Sequence, residues 1–223
     1  YYIKKKEAIR KYFYNDKFYK KIIKKKNDKR IINEYKKILF YKKKIKFIYQ
    51  NEPLGTGDAV LKTKNLIKDK YFLILLPDDL IIKKNCSKSM IHIHKKYKSS
   101  VMASMRVNKN NVNRWGIYSI SKRIDKNNFY ISDVVEKPSI KDAPSNNAVI
   151  GRYILSNEIF KVLNDLGKGK GGEIHITDAI RKMIGKGSKY VGHKFLGKYL
   201  DCGTMKGYIK SNLDIYKLWR FAW

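Results

Sequence analysis

Acidic residues are scarce in this chain: 19 Asp and Glu stand against 51 Lys and Arg in 223 residues, a formal net charge of +32. Such an imbalance favours polyanions, either nucleic acid or an anionic membrane. Arginine is scarce as well, with eight of the 51, and arginine is the residue that reads phosphates and bases bidentately. No zinc-finger spacing and no RNA-binding aromatic motif occurs. The Lys excess travels with Ile, Asn, Tyr and Phe, as an A+T-rich gene would encode. The sequence therefore predicts weak, salt-sensitive binding to polyanions and no specific nucleic-acid partner. Two cysteines, Cys86 and Cys202, exclude a disulfide framework and a cysteine metal site, and fit a reduced cytoplasm. The longest apolar run, 71–77, is too short to cross a membrane. No signal peptide is read at the start, which is Tyr1 rather than Met.

What is present suits one α/β domain over residues 1–223, since 43% hydrophobic residues fill a core at this length. Lys-rich segments at 4–26 and 31–41 read as helices, 45–50 as a short strand, and 58–67 as a helix behind a Gly turn. Residues 71–76 form a continuous apolar run, as in a strand buried on both faces. A helix at 87–97 and a strand at 100–107 follow. Strands at 115–120 and 129–135 read as an antiparallel pair, and 148–155 as another strand. Ser156 can cap a helix reaching about 166, and Thr177 or Asp178 one over 176–184. Short strands at 190–195 and 198–200 precede a last helix over 204–218. The alternation predicts a three-layer α/β/α sandwich on a mixed, mostly parallel sheet.

Ligands of such sheets bind at the carboxyl ends of strands. Three acids sit there: Asp78, Glu136 and Asp201. The Asp78-Asp79 pair after the apolar run is either a turn with a capping Asp or a source of hard oxygen ligands for Mg²⁺. Asp201, followed by Cys202 and Gly203 at the mouth of a helix, repeats the pattern. Glu136-Lys137-Pro138 ends the strand at 129–135. Neighbouring strand residues point to opposite faces, and Pro138 holds Lys137 extended or in polyproline II. The strand must end or bulge there before both charges can face one cleft. A carboxylate suits hydroxyls and an ammonium suits a phosphate; the alternative is a solvated surface ion pair. Gln50 precedes Gly55 and Gly57, where an amide and bare backbone can meet a planar ligand, or simply turn. Gly116, after Trp115, marks either a ligand contact or a bulge. His92 and His94 diverge on their helix and read as surface or packing residues.

Taken together, the stretches 50–60, 75–79, 115–117, 134–138, APSNNAVIGRYIL at 143–155, GEIHITDAI at 172–180 and DCGTMKGY at 201–208 resemble the bacterial UTP–glucose-1-phosphate uridylyltransferases, in the family's order. The resemblance implies a Rossmann-like nucleotidyltransferase fold and the reaction UTP + glucose 1-phosphate → UDP-glucose + diphosphate, with Mg²⁺. It implies that Asp78 and Asp201 hold the metal, with Asp78 and Lys137 acting in catalysis. Glu136 is expected on glucose hydroxyls, Lys137 on the sugar phosphate, Gly116 and Gly151 along the sugar pocket, and Gln50 and Gly55 facing uracil. A dimer or tetramer is expected, as in relatives. The family's G-x-G-T-R loop and P-K-E-M stretch do not occur in the 223 residues. The expectation is an N-terminally incomplete copy, inactive in isolation and with apolar sheet edges exposed. Asp58 stands where relatives often carry His. The competing readings are a transferase for dTTP, CTP or another sugar phosphate, and a non-catalytic regulatory paralogue.

Overall fold

A computed structural model describes residues 8–220. Three Lys-rich helices come first: α1 (Ala8–Tyr14), α2 (Lys17–Lys26) and α3 (Lys29–Lys42). The single helix expected over 4–26 is broken at Asn15-Asp16, and residues 4–7 lie outside the described part. Asp28 caps α3 by accepting the Arg30 N–H at 2.8 Å. The strand expected at 45–50 is not formed: this segment has no ladder partner among the described residues.

Eight strands follow: β1 (Tyr71–Leu75), β2 (Asp79–Ile82), β3 (Ser100–Arg106), β4 (Gly116–Arg123), β5 (Asn128–Glu136), β6 (Asn147–Ser156), β7 (Tyr190–Lys194) and β8 (Lys198–Asp201). Before them lies α4 (Thr56–Leu61), and between and after them lie α5 (Cys86–Tyr97), α6 (Ile159–Asn164), α7 (Ile176–Gly185) and α8 (Met205–Arg220). Six strands form one sheet in the order β1-β6-β3-β7-β5-β4, and β4 also meets β6 through Ile117 and Ala148. β2 and β8 form a separate ribbon. Helix α5 covers one face, packing Met90 and Ile93 on Val101, Ala103, Ile150 and Val191. Helices α6 and α7 cover the other with Ile159, Leu163, Ile176 and Ile180 on Met102, Tyr118 and Tyr153. The three layers and the mixed sheet are therefore present.

The sheet is not mostly parallel among the described residues. Only β3 and β7 run parallel, and β1–β6, β3–β6, β5–β7 and β4–β5 are antiparallel. Apolar runs report burial on both faces, and helices supply that burial whichever way the strands run. β1 departs further: among the described residues it has a partner on one side only, with Leu73 36% and Leu75 52% exposed, rather than being buried on both faces. The expected exposed apolar edge is found there. The N-cap of α7 is His175 rather than Thr177 or Asp178, and that of α6 is Glu158 rather than Ser156.

His193 on β7 is buried, with Nδ1 2.8 Å from Asn128 Oδ1 and Nε2 without a partner among the described residues. Burial lowers its pKa, against a smaller opposing pull from Asp125. The unfolded chain then takes up a proton more readily than the fold, so stability is lost as pH falls from about 6.5 through the depressed value. In urea titrations from pH 7 to 5, His193→Gln is expected to flatten that loss. An unchanged pH slope would exclude His193 as its source.

Candidate active site

The end of β5 answers the question its sequence raised. Lys137 does not stay extended before Pro138; it adopts φ +43°, in the left-handed region. A residue before proline is normally extended, and a left-handed L-residue costs about 1–2 kcal/mol. The turn is tied down by the Lys137 N–H, which donates to the Trp115 carbonyl at 3.1 Å. Its consequence is that both side chains line one cleft, with Lys137 Nζ 3.9 Å from Glu136 Oε1.

That cleft holds about 220 Å³ and is walled by Gly116, Glu136, Lys137, Gly151, Asp79 and Thr177, among others. Glu136 of β5 pairs with Gly116 of β4. A Cβ at Gly116 would lie 3.2 Å from both Glu136 Oε2 and Thr177 Cγ2, so the bare backbone makes room for the carboxylate. Thr177 donates its hydroxyl to Glu136 Oε2 at 2.7 Å, fixing that carboxylate from the first turn of α7. In the sequence Thr177 reads as a helix cap; only the fold gives it this partner.

Asp79, the second acid of its pair, is the one that enters the cleft. Its Oδ2 accepts the Gly151 N–H at 2.7 Å and its Oδ1 accepts the Tyr199 hydroxyl. Burial raises its pKa, opposed by those two donors. A Cβ at Gly151 would sit 2.5 Å from Asp79 Oδ2 and 2.6 Å from Leu76 Cβ, which explains the glycine. Asp78 and Asp201 lie beside the cleft at the tip of the β2–β8 ribbon, where Asp79 is paired with Asp201. Both carboxylates flank Gly203: a Cβ there would be 2.8 Å from Asp78 Oδ2 and 3.5 Å from Asp201 Oδ1. The Gly203 N–H donates to Asp201 Oδ1 at 3.0 Å, and Arg114 donates to Asp201 Oδ2 at 2.8 Å. Arg114, which also borders the cleft, gave no sequence signal because it lies 87 positions from its partner.

Gln50 and Gly55 are not brought to the cleft; their neighbour Thr56 is. Gln50 is buried, its Nε2 donating to the Gly55 carbonyl at 3.1 Å and to Asp58 Oδ2 at 2.7 Å. Asp58 therefore has a definite role, holding the Gln50 amide while Lys62 holds Asp58 at 3.0 Å. Gln50 Oε1 is buried with no partner among the described residues. Gly55, at φ +95°, lets the turn press against Ile174, whose carbonyl a Cβ would meet at 2.6 Å. His94 packs on Tyr71, with Nδ1 2.7 Å from the Ser99 carbonyl, which fits the packing role read for it.

A family model described as nucleotidyl transferase matches residues 8–217. The chain belongs to the nucleotidyl transferase family. This chain is 38% identical over 171 residues to a UTP–glucose-1-phosphate uridylyltransferase of Pseudomonas aeruginosa, an alignment covering 75% of this chain and 61% of that protein. It thus spans about three fifths of that relative's length. It is similar to a UDP-glucose pyrophosphorylase solved with UDP-glucose, with TM-score 0.76 and 37% identity over 83% of this chain and 71% of the other. A UDP-glucose pyrophosphorylase solved in the apo state gives TM-score 0.83 at 33% identity, over 95% and 78%. No described helix of the chain is long and apolar enough to cross a membrane.

Proposed function

We propose that this nucleotidyl transferase serves the transfer of a uridylyl group from UTP to glucose 1-phosphate, giving UDP-glucose and diphosphate. One observation carries the reading: the left-handed turn at Lys137 puts a carboxylate and an ammonium into one small cleft floored by two glycines. A sugar phosphate offers the matching hydroxyls and phosphate. Relatives at 36–38% identity bear the uridylyltransferase name, and a solved neighbour contains UDP-glucose.

In this reading Glu136, held by Thr177, accepts bonds from glucose hydroxyls, while Gly116 and Gly151 let the ring approach. Lys137 binds the sugar phosphate and offsets the repulsion between two anions, so that a phosphate oxygen can meet the α-phosphorus in line. No covalent enzyme intermediate is required. The family generally works with a divalent metal. Asp78 and Asp201 fit Mg²⁺, which takes one or two carboxylates and completes its shell with phosphates and water. Among the described residues no group of three or more His, Cys, Asp or Glu side chains gathers as a metal site, so the two carboxylates would be the protein's share of the shell. Bound Mg²⁺ supplies further neutralisation of the phosphates.

Calorimetric titration of the chain with UDP-glucose in Mg²⁺ buffer tests this. Binding is expected to be tighter than for dTDP-glucose or CDP-glucose. Equal or weaker binding of UDP-glucose would overturn the assignment to uridylyl transfer.

A further inference from the structure

Separate from the cleft, five strands end around a second pocket of about 190 Å³. Its wall is Arg106 at the end of β3, Arg123 at the end of β4, Phe129 at the start of β5, Asn147 at the start of β6 and Lys194 at the end of β7, with Lys126 from the β4–β5 turn. Arg123 is seven residues along β4 from Gly116 of the cleft, about 23 Å of strand. The two pockets share no lining residue.

The geometry points to an anion site here, built for a small molecule carrying a phosphate group. Four cations line the pocket and no acid does. Among the described residues none of the four cationic groups has an ion pair or a hydrogen bond, although acids elsewhere pair with Lys20, Lys62, Arg114, Arg181 and Lys198. Asp125, adjacent to Lys126 in sequence, spends its carboxylate on N–H groups of Asn127 and Asn128. Two of the chain's eight arginines meet in this one pocket, so a general Lys excess does not account for it. Arginine forks match phosphate oxygens. Gathered like charges repel, and a bound anion removes that cost. A second observation agrees: Ser104, two residues before Arg106 on the same face of β3 and paired with Lys194, has a buried hydroxyl without a partner among the described residues. The site also has a physical connection to the cleft. Asn147 of this pocket and Val149 of the cleft share one face of β6, two residues apart.

The test is calorimetric titration of the chain, in moderate salt, with inorganic phosphate and separately with ribose 5-phosphate. The stronger of the two identifies free phosphate or a sugar ester as the source. Arg106→Gln/Arg123→Gln should weaken the binding about tenfold or more, the loss of one or two charge-assisted bonds. Lys24→Gln/Lys25→Gln on α2 removes the same charge elsewhere and should leave it within about twofold. Lys137→Ala should also leave it intact, separating this site from the cleft. Lys126→Gln/Lys194→Gln repeats the test should the arginine pair fail to fold. No binding to the parent chain, equal weakening by the α2 pair, or no weakening by either pocket pair overturns the proposal.

Discussion

Lys137→Gly is expected to lower affinity for glucose 1-phosphate about 10- to 100-fold while leaving the fold as stable as the parent, or more so. The lost ammonium accounts for the affinity, since a hydrogen bond to a charged group is worth about 1.5–3 kcal/mol. Relief of the left-handed backbone accounts for the stability: φ +43° costs Lys about 1–2 kcal/mol, against about 0.5–1 kcal/mol for the freedom glycine loses on folding. Little is forfeited with the Glu136 pair, because Lys137 is half exposed and such pairs contribute about 0–1 kcal/mol. Lys137→Ala keeps the strain and loses the charge, so it should match the affinity loss and fall below the glycine variant in urea midpoint. A strand end that was only a surface ion pair would bind glucose 1-phosphate equally well in all three proteins.

Asp79→Ala should be the most damaging single truncation at the cleft, costing about 2–4 kcal/mol in urea unfolding. It leaves the Gly151 N–H and the Tyr199 hydroxyl without their acceptor in a partly buried place. It also unties the β2–β8 ribbon from β6, and with it the position of Asp78 and Asp201. Asp79→Asn should cost less, about 1 kcal/mol, because burial already disfavours the ionised carboxyl and an amide keeps one acceptor oxygen. An alanine variant as stable as the parent would show that the ribbon is held by other contacts.

Glu136 and Lys137 were legible as an unusual end to an apolar strand; residue chemistry left a surface ion pair as the alternative, and the proposed sugar-phosphate role came from the family resemblance. The conformation that makes them cooperate was not. The rule that a residue before proline is extended is a statistical one, and the Trp115 carbonyl and the walls of the cleft override it at Lys137. The Asp78-Asp79 pair was visible as two acids at a strand tip. Which of them enters the cleft depends on where β2 pairs with β8, and that register joins residues more than a hundred positions apart. Thr177 and Arg114 escaped for the same reason: each matters through one partner that is remote in the chain. Gln50 was found, but its amide is committed to Gly55 and Asp58 rather than to the cleft.

By itself the sequence determined the layer architecture, most strand and helix positions, and the residue types at the Glu136–Lys137 cleft. These follow from apolar periodicity and side-chain chemistry, which are local properties. Strand direction, the left-handed turn at Lys137 and the convergence of four cations, without ion pairs among the described residues, at one end of the sheet were decided by tertiary structure. Each depends on which distant segments pack together, and hydrophobic burial, being non-directional, leaves that choice to the geometry of the whole fold.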